Sequence, residues 1–483
     1  MKAKIWVFGY LILTIGTLAF VGVQVIRTDP FFHYHAPYVD TYYYELDNSR
    51  SQNDGIVKHF QYDALITGTS MTVNFKTSEL DKIFGTNSIK VSYSGASFKT
   101  IDDNLETALI NNNDISTVVR GLDMNLFFTP GDYINDDPNY KAPTYLYDDN
   151  IFNDTNYIFN RDVIFRRVYP MSEARKANDF TPGITSFDDY SNWMEYYIFG
   201  INSVGYPDDL NIRETVDPVH LSDADREMLS ENIYQNVTSL AEAYPDVTFY
   251  YFFTPYSALW WQEHIIRGDI YAQIEAERFI IETILKVDNI KLYSFNNRTD
   301  ITTDINNYMD KIHYASWVNS LILRWMHNGE CLLTLDNYEE YLDEELAFYT
   351  TYDYSQLSNQ EDYANDYYAE ALLNKEINGA APIKYTKDNL QYLYDEGSKT
   401  PALIIDDISN YKYLVFYGLK KSEQDWPTIT VYPENNDGTL PEKVTANYYD
   451  SEDEYLQYLI DVSQIEGAVT IVLDSEYNDI VLY

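Results

Sequence analysis

The chain of 483 residues has one cysteine, Cys331. A single thiol forms no intrachain disulfide and no thiolate-rich metal site. In the run Cys331-Leu332-Leu333 it reads as a small buried hydrophobe. Positive charge is scarce as well: 33 Lys and Arg stand against 76 Asp and Glu, a net charge of −43. Such a surface repels phosphate backbones and anionic lipid head groups, which excludes nucleic-acid binding as a main function. Long apolar runs are missing after residue 26, and there is no internal repeat or low-complexity tract. The tract Asn435-Asn436-Asp437-Gly438 is acidic enough to suggest a calcium loop, but Val444 stands where an EF-hand needs glutamate, so it reads as a plain turn.

What is present is apolar and aromatic. Hydrophobic residues make up 45% of the chain, which rules out a disordered polymer and supports two or three domains. Tyrosine is abundant, with 48 residues, read here as half-exposed strand and helix surface rather than as sugar-stacking platforms. Residues Ile5 to Ile26 carry no charge and reach the roughly 20 residues a membrane-crossing helix needs. Lys2 and Lys4 precede them, so the positive-inside rule leaves the body exported. An uncleaved signal anchor fits better than a cleaved signal peptide, since no small-x-small site follows. Asp29 to Asn53 reads as an irregular collar whose His33 and His35 are solvated.

From Tyr62 the pattern alternates between strand and helix. Strands are expected at Asp63–Thr67, Ile89–Ser92, Ser116–Leu122, Asp246–Phe253 and Ile290–Ser294. Helices are expected at Thr72–Phe84, Phe98–Asn112, Ala258–Lys286 and Trp317–His327. Alternation of this kind predicts an α/β fold with a parallel sheet covered on both faces. Residues 128–219 form a long insertion that should build part of a cleft. Residues 29–350 make up this α/β domain, 351–399 a helical linker, with Gln356–Asn374 helical, and 400–483 a small β-domain of shorter alternating runs.

Ser70 follows Gly68 where the first strand meets a helix, and Asp310-Lys311-Ile312-His313 follows the last strand. A serine hydroxyl becomes a nucleophile when a base removes its proton and an acid orients that base. His313 can be that base and Asp310 that acid. Each has a plainer reading, Ser70 as a helix N-cap and Asp310 as a surface-loop cap. Gly95, in the turn after the second strand, leaves room for its N–H beside a substrate. Asp123 and Asn125 follow the third strand. An ionised Asp123 cannot donate to an oxyanion; Asn125 can, although it points to the other face if the strand continues. His220, His264 and His327 have no motif around them and read as structural or surface residues.

The order Gly68-x-Ser70, then Gly95, then Gly121-x-Asp123, then Asp310-x-x-His313 resembles the SGNH/GDSL hydrolase superfamily. Within it the closer likeness is to membrane-anchored D-alanyl-lipoteichoic acid transfer proteins and alginate-type polysaccharide O-acetyltransferases. The likeness covers about Tyr62 to Gly329. Thr69 replaces the aspartate of the first block, and Asp123 replaces the asparagine of the third. The resemblance implies a three-layer flavodoxin-like sheet and catalytic Ser70, His313 and Asp310. It also implies oxyanion donors among Gly95 and Asn125, with neither metal nor cofactor. The implied substrate is an acylated cell-surface glycopolymer, and the implied partner is a multi-spanning membrane O-acyltransferase. The main alternative is a non-catalytic glycan-binding or scaffold protein; a third reading puts the function in the β-domain.

Overall fold

The computed structural model describes residues 2–360, apart from 138–139, 149, 178–179, 195–196, 198 and 205–216. Beyond them it describes 383–385, 391–395, 398–411, 413–420, 429–433, 444–445, 455–462, 465–473 and 479–482. The chain separates into two compact units, Met1–Asp362 and Tyr363–Tyr483.

The first unit begins with helix α1 (Lys2–Thr28), long and apolar enough to cross a membrane by length and composition. Helix α2 (Ser49–His59) leads into the sheet. Five strands then alternate with helices: β1 (Ala64–Thr67), α3 (Thr77–Phe84), β2 (Ser88–Lys90), α4 (Phe98–Asn111) and β3 (Thr117–Leu122). After the insertion come α5 (Asp223–Ile233), β4 (Thr248–Phe253), α6 (Ala258–Arg267), α7 (Ile270–Ile284), β5 (Ile290–Ser294), α8 (Ser316–Asn328) and α9 (Tyr338–Thr351). A π-helical segment, Tyr234–Thr238, prolongs α5 into Ser239–Ala243.

The strands pair in the order β2-β1-β3-β4-β5, every pair parallel. Val118 sits opposite both Leu65 and Phe249, which fixes the register across the sheet centre. All four residues of β1 are buried, as a strand covered on both faces requires. Right-handed crossovers place α3 on one face and α4 on the other, because β1-α3-β2 and β2-α4-β3 step in opposite directions. Accordingly α3 packs against α8, and α4 against the π segment after α5. The order reverses beside β1, so the loops after β1 and β3 face each other across a crevice at the carboxyl ends of the strands. Arg120 of β3 is fully buried, 3.0 Å from Asp102 of α4 and stacked near Phe98 and Tyr251. Burial pushes the Asp102 carboxyl up to about 6 despite that guanidinium.

Several elements differ from the sequence pattern. The helix expected over Thr72–Phe84 is shorter: Ser70–Thr72 is a single 3-10 turn, and α3 starts only at Thr77. The helix expected over Ala258–Lys286 is two, broken at Gly268 in a left-handed C-cap (φ 76°). Cys331 is only half buried and has φ 59°. Helix α9 was not anticipated. Its inward positions include Leu342 and Tyr349 but also Glu345, which interrupts the apolar stripe.

The second unit contains nine strands among the described residues: β6 (Ile383–Tyr385), β7 (Gln391–Asp395), β8 (Ser398–Ile405), β9 (Tyr413–Lys420), β10 (Ile429–Pro433), β11 (Val444–Thr445), β12 (Tyr455–Asp461), β13 (Val469–Leu473) and β14 (Asp479–Leu482). They form two sheets, β10-β13-β8-β7 and β11-β12-β9-β14-β6, every pair antiparallel. Strands β6 and β7 lie in the stretch expected as a helical linker. Of the expected helix Gln356–Asn374, Tyr354–Asn359 is a 3-10 segment, and 361–374 fall outside the described residues, as does the turn at 435–438.

Candidate active site

Residues from every sheet loop meet at the carboxyl end of the strands. Gly68 ends β1 with φ 146°, and a Cβ there would lie 2.7 Å from the Thr72 side chain, so only glycine makes this bend without displacement. The 3-10 turn that follows presents Ser70. Thr69, not Ser70, caps it, its hydroxyl accepting from Met71 N at 3.3 Å. The Thr69 hydroxyl in turn donates to Asp123 Oδ2 at 2.7 Å. From α8, Asn319 Nδ2 donates to Met71 O at 3.0 Å, and Trp193 Nε1 donates to Ser70 O at 3.2 Å. The turn is therefore held from β3, from α8 and from the insertion.

His313 arrives on a narrow loop. Tyr308 and Tyr314 bridge its base, and Met309 N donates to His313 O at 3.0 Å. Ser257, just after β4, donates through its hydroxyl to Lys311 O at 2.8 Å, and Tyr308 OH donates to Pro255 O at 2.9 Å. This support brings His313 Nε2 to 2.8 Å from Ser70 Oγ. Its Nδ1 lies 2.7 Å from Asp310 Oδ2, while Asp310 Oδ1 accepts from Ile312 N at 2.9 Å and His313 N at 2.7 Å. With the proton on Nδ1, Nε2 is free to accept from the serine hydroxyl. Burial alone would raise the Asp310 carboxyl. Hydrogen bonds and charge from His313 outweigh it and hold the group below its ordinary value.

These groups open on a cleft of about 520 Å³, lined by Ser70, His313, Gly95, Trp193, Tyr140 and Tyr256 among others. Trp193 stands edge-on to His313, ring centroids 5.9 Å apart. Trp193 and Tyr140 both come from the insertion, so that segment walls the cleft. Gly95 has φ 67°, and a Cβ on it would lie 2.6 Å from the Tyr140 ring. No backbone acceptor engages the N–H of Ser70 or of Gly95 among the described residues. Asn125 does not continue β3: the chain turns into a short helix, Met124–Phe127, which leaves Asn125 exposed on the cleft wall. Asp123 is buried and accepts from Thr69, from Tyr256 OH at 3.0 Å and from Thr254 OH at 3.4 Å. Burial pushes its carboxyl up against those hydrogen bonds. Through Thr69 it holds the turn that carries Ser70, at the cleft lining. Sequence reasoning missed Trp193, Tyr140 and Asn319; they lie far along the chain in no motif, and only the fold brings them to Ser70.

Among the described residues no three His, Cys, Asp or Glu side chains group in a way that could hold a metal ion. His33 faces Asp154 at 3.3 Å, and His35 lies between two backbone carbonyls. His220 pairs with Glu275, His264 with Asp269, and His327 packs on Phe84.

The chain matches no family model and no curated protein. Two solved structures resemble it remotely. One is assigned as a platelet activating factor from Streptococcus pneumonia: 10% identity over 58% of this chain and 90% of that one, TM-score 0.29. The other is a two-domain esterase active on acetylated mannans, solved with mannopentaose: 8% identity over 86% of this chain and 89% of that one, TM-score 0.22. At such TM-scores neither likeness bears on the chemistry of the cleft.

Proposed function

We propose that this chain is a membrane-anchored serine esterase or O-acyltransferase of the SGNH type, with a flavodoxin-like catalytic domain outside the cytoplasm. The observation that carries the reading is the unbroken hydrogen-bonded series Ser70 Oγ–His313 Nε2 and His313 Nδ1–Asp310 Oδ2, at 2.8 and 2.7 Å, at the mouth of a cleft. In that series Ser70 attacks an acyl carbonyl while its proton passes to His313 Nε2. Asp310 accepts from Nδ1–H and stabilises the imidazolium. The backbone N–H groups of Ser70 and Gly95 and the Asn125 amide are the donors for the tetrahedral oxyanion. His313 then protonates the departing alcohol oxygen, leaving the acyl group on Ser70. Water or a sugar hydroxyl, deprotonated by His313, takes the acyl group and restores the serine. Water as acceptor gives an esterase; a hydroxyl on a glycopolymer gives a transferase. The aromatic walls at Trp193 and Tyr140 suit the apolar faces of sugar rings, which favours an acylated surface polysaccharide or teichoic-type polymer. A multi-spanning O-acyltransferase beside α1 is the partner that would supply acyl groups from the cytoplasm.

The test is turnover of p-nitrophenyl acetate by the purified chain, with labelling by a fluorophosphonate probe. Turnover and labelling that vanish together in Ser70→Ala support the reading. Absence of both in the unmodified chain would replace it with the glycan-binding scaffold.

A further inference from the structure

We propose that the exit end of α1 and the segment Val163–Lys176 form a binding site for an anionic phospholipid of the surrounding bilayer. The proposal rests on α1 spanning the membrane. It does not depend on the chemistry at Ser70.

Helix α1 does not simply tether the body. Its last turns enter a core with Phe31, Leu146, Tyr157, Val163 and Val168, in which Val25 is fully buried. A Cβ on Gly22 would lie 3.3 Å from Ile158. Beside this junction runs a groove of about 580 Å³, within the size range of small-ligand sites. Its lining joins apolar Phe20, Val21, Ile164 and Phe165 to basic Arg27, Arg175 and Lys176, with Glu173 as its one acidic residue among the described residues.

Depth along α1 matches a lipid. At roughly 1.5 Å per residue, Phe20 lies about 23 Å from Ile5, near the far side of a hydrocarbon core about 30 Å thick. Arg27 lies roughly 10 Å further, at head-group level. The apolar walls thus border acyl chains, and the cations border phosphates.

Charge points the same way. In a chain of net charge −43, residues Arg161 to Lys176 hold five basic side chains against two acidic. Several are already engaged: Arg166 with Asp162, Arg167 with Asp47 and Glu45, and Lys176 with Glu173. Arg175 donates to Tyr42 OH, and no carboxylate lies within ion-pair reach of Arg175 or Arg27 among the described residues. Both side chains are exposed, so a phosphate can reach them. Phe165, which lines the groove, is 65% exposed, and Arg166 and Arg167 follow it directly. Large exposed aromatics beside basic residues are the signature of a face resting on a bilayer.

The test uses the full chain in mild detergent, with lipid binding read by native mass spectrometry. Phosphatidylglycerol should bind about fivefold or more tightly than phosphatidylcholine. Arg27→Gln/Arg175→Gln/Lys176→Gln should erase that preference, and Phe165→Ser should weaken both lipids. Equal binding of the two lipids, or a triple variant that keeps the preference, overturns the proposal. A second measurement does not rely on variants folding: one equivalent of phosphatidylglycerol with a photoreactive acyl chain should crosslink within residues 163–176, and a map without them also overturns it. Carbonate extraction of membranes reports separately whether α1 spans.

Discussion

Ser70 is presented by a turn that its neighbours hold, and the consequences fall first on single residues. Ser70→Ala and His313→Ala should each lower kcat/KM for an acetyl ester by about 10³ or more, and Asp310→Asn by about 10² to 10⁴. Melting temperatures should hardly move, because none of the three fills the core. Thr69→Val is a different case. It removes the hydroxyl that accepts from Met71 N and donates to buried Asp123. Leaving that carboxylate a donor short should cost about 1–3 kcal/mol of stability. It should also lower kcat while leaving KM near its original value, measured by steady-state kinetics beside thermal unfolding, since valine keeps the shape of the cleft lining while the turn loosens. Asp310 and His313 were legible as a pair three residues apart, and Ser70 through Gly68 two residues before it, because each of these signals is local. The hold of Asp123 on the Ser70 turn was not legible, because its partners Thr69 and Tyr256 lie 54 and 133 residues away.

At the scale of elements, α9 is secured to α7 through an uncommon pair. Glu277 and Glu345 are both fully buried, and Glu277 accepts from Gln273 Nε2 at 3.1 Å while neither Glu345 oxygen has a hydrogen-bond partner among the described residues. Burial raises both carboxyls, and Glu277 raises Glu345 further; Gln273 and Glu345 only partly offset burial at Glu277, which is pushed up to about 7. Both are raised above their unfolded value, so their stabilisation is complete below the ordinary carboxylate range and is lost as pH rises through about 7. Glu345→Gln, which needs no proton to stay neutral, should raise the melting temperature by a few degrees at about pH 8 and change it little at about pH 5. A calorimetric pH series reads both. A glutamate on an inward helix position also explains why α9 was illegible, since the apolar period breaks where the carboxyl is buried.

For the whole molecule, the boundary between the units decides what can be removed. The segment after α9 belongs to the first unit. Tyr354 OH donates to Tyr349 O at 2.9 Å, Leu357 is fully buried, and Gln360 accepts from Ile305 N while donating to Thr303 O. A chain ending at Asp362 should therefore keep its ester turnover within about twofold and unfold cooperatively. One ending at Tyr352 should lose several degrees of melting temperature, because it exposes a packed face. Turnover and thermal scans on the two truncations separate the outcomes. If turnover instead required Tyr363–Tyr483, the antiparallel unit would be part of the chemistry.

Local pattern carried much of this protein: the apolar span, the five sheet strands, and the Ser70 and Asp310–His313 motifs are written in period and spacing, which act between near neighbours along the chain. Tertiary structure decided the rest. Trp193 and Asn319 reach the Ser70 turn from 123 and 248 residues away, and no local pattern encodes such contacts. The sheet's reversal of order beside β1 is what faces Thr69 to Asp123. The basic groove exists only because α1 packs against residues more than a hundred positions on, so a chain whose overall charge repels anionic lipid still presents one surface that attracts it.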